Sequence, residues 1–260
     1  MPTIAALVKH VPDTWSEMSL EDDFTLDRES VDNVIDEINE YSVEQALRLR
    51  DDNPDKDFRV VALTVGPAAA DAALRKALAM GADDAVHVTD ESLSGADALS
   101  TAWVLNHALN ALDDVQIVTM GERSADGQTG LVAGFLSEYR QVPALTCVSS
   151  VALDGDQLSA VRDDARGRWE LAAPLPAIVS VGEEADKPRF PNFKKLMAAK
   201  KHDVTVLDVA QLGIDPIAPT TQVTDATKRP PREAGETIEA TTPEETAKKI
   251  ADFLADRNLL

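Results

Sequence analysis

Short, continuous apolar runs alternate along this chain with longer stretches in which apolar residues return every three or four positions. Thr3–Val8 (TIAALV), Phe58–Val65 (FRVVALTV), Ala85–Val88 and Val115–Thr119 read as strands buried on both faces, as in the middle of a parallel sheet. Between them Asp36–Arg50, Ala68–Met80 and Ala96–Leu112 carry the helical period. The first has acids early and arginines late, in keeping with its macrodipole, and the second closes at Gly81 as its C-cap. This order predicts an α/β fold, a mostly parallel sheet with helices on both faces. The acidic stretch Ser16–Asp32 shows little period and reads as a loop or irregular hairpin. After Pro143 the pattern shortens. Ala144–Leu153, Gln157–Arg162 and Arg168–Ala172, parted by Asp154-Gly155 and by Asp163–Gly167, predict a β-hairpin or meander inserted before a buried strand at Ala177–Val181. Gly182–Lys201 turns helical and basic from Phe193, and Val204–Leu207 is a last strand candidate. From Gly213 the chain becomes an arm rich in Pro, Thr and charge, ending in a helix. Thr242, Pro243 and Glu245 signal its start, and Ala247, Ile250, Ala251, Phe253 and Leu254 form one apolar stripe. The expected domains are 1–212 and an arm, 213–260, that lies on its own chain or on a partner.

The stretch Gly121–Glu138 (GERSADGQTGLVAGFLSE) follows the fourth strand and leads into an apolar run from Leu131. Gly121, Gly127 and Gly130, with Ser124, Asp126 and Thr129, give it the composition of a phosphate loop. Glycines let backbone N–H groups approach an anion, and a helix N-terminus adds free donors and partial positive charge. The same glycines would also serve simply to turn the chain from strand to helix. Arg123 is the nearest cation for a phosphate, or else a solvated loop residue.

Composition narrows the function. A net charge of −21, from 46 acidic against 25 basic residues, argues against a nucleic-acid binder, which needs clustered Lys and Arg. No apolar run approaches the roughly 20 residues that span a bilayer, and the N-terminus lacks a basic segment with a cleavage site, so a cytoplasmic protein without direct membrane insertion is expected. The single cysteine, Cys147, excludes an intramolecular disulfide and, within Ala144–Val151, reads as a packed thiol. None of His10, His87, His107 and His202 has an evident acid–base partner, and no catalytic triad or metal-ligand spacing is present.

Five stretches in order carry a family resemblance: VKHVPDT, EYSVEQALRLRD, ALTVGPAAADAALRKALAMGADDAVHV, the glycine loop, and KPRFPNFKKLMAAKKHDVTVLDVAQLG. Together they resemble the β subunit of electron transfer flavoproteins over essentially the whole chain. The resemblance implies a Rossmann-like fold of the adenine nucleotide alpha hydrolase type and a heterodimer whose α subunit carries the main FAD. Partners would be acyl-CoA or other dehydrogenases, a quinone oxidoreductase or a ferredoxin. The chain would be an electron carrier subunit, with the chemistry belonging to the flavins. It would hold its own nucleotide, AMP in the housekeeping branch or a second FAD in the bifurcating and Fix-like branch. The loop matches the FAD-branch pattern GxxxxDGxTxxV without gaps, which favours a second FAD, with AMP the alternative.

Residue by residue, the resemblance assigns Asp126, Gly127, Thr129 and Gly130 to the phosphates, through backbone and hydroxyl donors, with Gly121, Arg123 and Gln128 as cofactor-binding residues of the same loop and Val132 opening the helix. Leu7, Lys9, Val65 and Gly66 would line the adenosine. Where the family has an Asn-Pro-aromatic-Asp turn this chain has Asp36-Glu37-Ile38-Asn39, and the missing proline puts the side-chain contacts of Asp36 and Asn39 in doubt. Residues 187–201 resemble the family's recognition loop, with Phe193 at the anchor position. Burying such a ring in a partner contributes roughly 1.5–3 kcal/mol. Alternatively Phe193 packs into the chain's own core. Lys194, Lys195, Lys200 and Lys201 form a basic patch suited to acidic partner surfaces. Asp163 matches an acid that pairs with an arginine of α, or is simply a turn residue.

Three other readings compete. A stand-alone adenine-nucleotide sensor of the universal-stress type shares this fold but not the arm or the recognition loop. A PP-loop ligase would need SGGxDS where this chain has KHVPDT. A purely structural partner of α would release no nucleotide. The acidity itself suggests a halophilic surface: the fold should be lost in low-salt buffer and kept at molar salt. Circular dichroism melts in both buffers check this, and equal stability would remove the halophilic reading.

Overall fold

The computed structural model describes residues 1–215, 219–230, 235 and 237–259, so parts of the expected arm lie outside the described residues. The order of elements is β1 (Thr3–Leu7), β2 (His10–Pro12), β3 (Asn33–Ile35), α1 (Glu37–Asp51), β4 (Arg59–Val65), α2 (Asp71–Met80), β5 (Asp84–Val88), α3 (Ala98–Asn110), β6 (Val115–Gly121), α4 (Val132–Arg140), β7 (Ala144–Val148), β8 (Ser150–Asp154), β9 (Gln157–Asp164), β10 (Gly167–Pro174), β11 (Ala177–Val181), α5 (Phe193–Ala199), β12 (Thr205–Leu207) and α6 (Pro243–Asp256).

Seven strands form one sheet in the order β12-β5-β4-β1-β6-β11-β7, and each neighbouring pair is parallel. β1 is wholly buried because its alternate side chains feed two cores. Ile4 and Ala6 pack with Val43, Leu47, Leu74 and Ala77 of α1 and α2. Ala5 and Leu7 pack with Ala102, Leu105, Leu109 and Leu136 of α3 and α4 on the opposite face. The α/β reading with helices on both faces therefore holds. The chain runs outward from β1 through β4 and β5, then returns to the other side of β1 at β6. That reversal opens a crevice outside the carboxyl ends of β1 and β6, where open α/β sheets bind ligands.

Two expectations need correction. The run Ala144–Leu153 is not one strand: β7 joins the parallel sheet, whereas β8 pairs with β9 in a separate antiparallel sheet of order β10-β9-β8. The break falls at Cys147, whose φ of +55° interrupts the strand alternation. Leu145 and Val148 turn inward and Cys147 is left exposed, so it is not the packed thiol expected of an apolar run. Of the two readings of Ser16–Asp32, the irregular hairpin is the one found: β2 and β3 form an antiparallel ribbon at the base of the acidic excursion, and Leu20 bridges to Leu26 within it.

The described chain divides into two compact units, Met1–Thr224 and Asp225–Leu260. Within the first, Ile214 is buried beside the α3 core, and the α3 cap Asp97 accepts hydrogen bonds from the amides of Ser100, Thr220 and Thr221. In the second, Thr242 Oγ1 caps α6 by accepting the Glu245 amide at 3.2 Å, while Glu245 reaches back to the Thr241 amide.

Candidate functional site

β6 ends where α1 begins, and the approach is close. A Cβ on Gly121 would collide with Ile38 Cγ2, so this position needs glycine. The turn into α1 then holds its neighbours through buried side chains. Asp36 accepts the Ala125 amide at 2.8 Å, and Asn39 Oδ1 accepts the Lys9 amide at 2.8 Å. Both residues thus tie the glycine loop and the end of β1 to the helix. Burial raises the Asp36 carboxyl above its ordinary value; the Ala125 amide opposes this and Asp126 adds to it.

Asp126 is the centre of the loop. Its side chain is only 2% exposed, and it lies between two cations: Lys9 Nζ donates to it at 2.7 Å, and Arg28 donates through a short contact. Arg28 also donates to the His10 carbonyl at 3.3 Å, which anchors the acidic excursion to the same point. Burial by itself would raise the Asp126 carboxyl, but Lys9, then Arg28 and Ser124, outweigh it and hold the group well below the usual carboxylate range. Beyond Asp126, Gln128 (φ +49°) and Gly130 (φ +63°) reverse the chain, and Gly127 to Leu131, with Thr129 among them, are exposed. α4 then opens at Val132 with no side chain capping its first amides, leaving donors and the positive helix end for a ligand.

The structure thus brings Lys9, Asp36, Asn39, Gly121, Asp126 and Gly127 together. Val65 and Gly66 lie at the same carboxyl edge one strand away, where the Gly66 amide donates to Val88 O. Leu7 is core. Arg123 stands apart, 60% exposed and paired with Glu122 at 3.4 Å. The cation the sequence reading missed is Arg28, and its one signal was being the sole basic residue between Ser16 and Asp32.

A second region lies away from this loop. Residues 186–202 are arranged inside out. Asp186 pairs with Arg48 and accepts from Gln45, both on α1. Asn192 caps α5 by accepting the Lys195 amide at 3.0 Å, Lys195 Nζ reaches Met80 O, and Arg75 of α2 donates to the carbonyls of Ala199 and His202. Polar groups therefore fasten the segment while its apolar side chains face outward: Phe190 is 98% exposed, Phe193 78%, and Leu196 and Met197 are partly exposed. Phe193 is not in the chain's own core, and Phe190, which the sequence reading did not single out, is the more exposed ring. Asp163 is elsewhere, bonded to Ser149 and Arg168, and lines a cavity of about 270 Å³ with Glu122, Arg123, Cys147 and Glu184. Among the described residues no helix is long and apolar enough to cross a membrane.

The fold and site define a class, the parallel α/β proteins with a glycine loop at the switch point of the sheet, where open α/β sheets bind ligands, and comparison with known sequences narrows it. A family model described as the electron transfer flavoprotein domain matches residues 23–212. The chain is 44% identical to the electron transfer flavoprotein subunit beta of Mycobacterium leprae, over 92% of each chain. It is 31% identical to the subunit beta of Megasphaera elsdenii over 82% of this chain and 80% of that one. It is also 27% identical to the caffeyl-CoA reductase-Etf complex subunit CarD of Acetobacterium woodii, over 99% of both. The chain belongs to the electron transfer flavoprotein family, as a β-subunit-type electron carrier rather than an enzyme.

The Asp126 cluster yields a stability prediction. Asp126→Asn strands two cations and should cost about 1–3 kcal/mol at neutral pH, less than a wholly buried pair because Lys9 and Arg28 keep part of their hydration. The wild-type carboxylate is depressed, so its contribution is present above the ordinary value of 3.8 and is lost as pH falls through the lower folded value. Urea midpoints should therefore fall more steeply for the wild type than for the variant between about pH 5 and pH 2. Equal slopes would mean that Asp126 carries no stabilising native charge.

Proposed function

We propose that this chain is the β subunit of a heterodimer, that its glycine loop holds the phosphates of an adenine nucleotide, and that residues 186–202 dock electron-donating partners. The nucleotide reading rests on one observation above others, the uncapped amides of α4 beside the exposed residues Thr129 and Gly130, the Gly127 and Gln128 amides being turned inward to Asp126 and Ser124. Lys9 and Arg28 add positive charge there, exceeding the single charge of Asp126 to which they are bonded. The gapless DGxT pattern favours a second FAD over AMP. In this reading the main chain of residues 126–130, at Thr129 and Gly130, and the Thr129 hydroxyl donate to phosphate, the Asp126 carboxylate being spent on Lys9 and Arg28, while Val65 and Gly66 flank the adenosine and Asp36 and Asn39 fix the loop from behind. The flavin supplies one- and two-electron redox chemistry when bound.

The partner reading is supported by the outward rings of Phe190 and Phe193 and by the exposed Lys187, Lys194, Lys200 and Lys201 on a chain of net charge −21. The fitting occupant is a dehydrogenase with an apolar pocket and an acidic rim. The name of the Acetobacterium woodii relative puts that protein in an assembly with a CoA-linked reductase, which fits such a role. Asp163, in its cavity with Glu122 and Glu184, is suited to an arginine of the α subunit.

The nucleotide is tested by purifying the complex with its α subunit and quantifying what denaturation releases. Two FAD per heterodimer are expected. One FAD with one AMP would assign AMP to the loop, and neither beyond the α-bound flavin would remove the nucleotide reading. For docking, Phe190→Ala and Phe193→Ala should each raise the concentration of complex that half-saturates its dehydrogenase by about tenfold or more. Unchanged kinetics in both variants would remove this segment from partner binding.

A further inference from the structure

The inside-out segment 186–202 is fastened most strongly at a residue the foregoing assignments leave without a role. Arg189 lies against α1 and spends its fork on two carboxylates of that helix. Its Nε donates to Glu44 Oε2 at 2.7 Å and its Nη2 to Glu44 Oε1 at 3.0 Å, a bidentate pair, while Nη1 donates to Asp51 Oδ2 at 2.9 Å. The Arg189 amide donates to Glu44 as well, at 3.1 Å. Side chain and main chain are therefore gripped together, one residue before the ring that is 98% exposed.

Glu44 explains why this grip is specific. Its side chain is 6% exposed, among the buried positions of α1, where an isolated carboxylate would be costly. Three residues upstream, Asp186 meets Arg48 of the same helix at 3.0 Å with the charges reversed. Glu44, Arg48 and Asp51 are spaced at four and three residues, so they share one face of α1. An alternating acid, base, acid row on the helix thus meets an acid and a base on the segment, which fixes its register. The hydrogen bonds to Glu44 first, and then to Asp51, also raise the guanidinium above its ordinary value, so it stays charged.

We propose that Arg189 is a positioning residue for partner docking. By clamping the segment to Glu44 and Asp51 it presents Phe190 and Phe193 in their bound arrangement before the partner arrives. This rests on the docking function proposed above. A segment already ordered loses less freedom on association. If release from the clamp leaves the competent arrangement populated about a tenth of the time, apparent affinity for the partner falls about tenfold with no contact to the partner removed.

The test uses the intact complex with its α subunit and a native dehydrogenase, and it reads two things. One is the steady-state dependence on complex concentration, and the other is hydrogen exchange of amides 186–192. Arg189→Gln is expected to raise the half-saturating concentration about tenfold, to leave the rate at saturation within about twofold, and to speed exchange across 186–192. Arg189→Lys, which keeps the charge but not the fork, should fall between it and the wild type. Should the buried Glu44 charge prevent Arg189→Gln from folding, the double variant Glu44→Gln with Arg189→Gln removes both charges and carries the same expectation. Phe190→Ala should weaken docking while leaving exchange slow. Faster exchange with unchanged half-saturation, or unchanged exchange in every Arg189 variant, would overturn the clamp while the phenylalanine variants still upheld docking. If the phenylalanine variants dock normally, the docking function fails and the clamp's role falls with it.

Discussion

A buried negative charge at the mouth of the sheet depends on two cations reaching it from different parts of the chain. Asp126 comes from the glycine loop, Lys9 from the end of β1, and Arg28 from the acidic excursion between β2 and β3. Without either cation, desolvation would push the carboxyl toward its neutral form. The contact therefore joins three segments beyond the ends of their strands, where the pairing of β1 with β6 and of β2 with β3 no longer holds them. Asp36 and Asn39 complete the join from the first turn of α1. The crevice at the switch point is in this sense an electrostatic construction laid on a hydrophobic one.

The hydrophobic part was legible in the sequence. Continuous apolar runs at Thr3–Val8, Phe58–Val65 and Ala177–Val181 announced strands covered on both faces, and Gly81 ends α2 as expected, at φ +134°. The glycine loop was legible from the three glycines, and so was the surface position of Phe193 as one of two alternatives. What escaped were contacts made at long range by polar residues. Being the sole basic residue of the run Ser16–Asp32 sets Arg28 apart, but does not say that its partner lies 98 positions away. Phe190 escaped because exposure is a property of what a neighbour is tied to, here Arg189 on α1. Cys147 misled because an apolar run was read as one strand where a left-handed residue divides two sheets.

α1 shows the same limit in a single element. Its apolar residues Val43, Ala46 and Leu47 are buried as the helical period requires, but so are Asn39, Ser42, Glu44 and Gln45. Periodicity assigns such residues to the solvent face. They are buried because the helix is covered on further sides, by the glycine loop at its first turn and by the segment around Arg189 farther along. A helix with so wide a buried arc acts as a frame for two separate loops.

The inside-out build of residues 186–202 separates grip from display. Charged and amide groups attach the segment to α1 and α2, and the outward rings add nothing to the chain's own core. Substitution at Phe190 or Phe193 is therefore nearly free of folding consequences, whereas substitution at Arg189 or Glu44 is not. Such a division lets the displayed pair drift under selection by whatever surface it meets while the attachment stays constant. Variation among such subunits would then concentrate on the rings and spare the bolts beneath them.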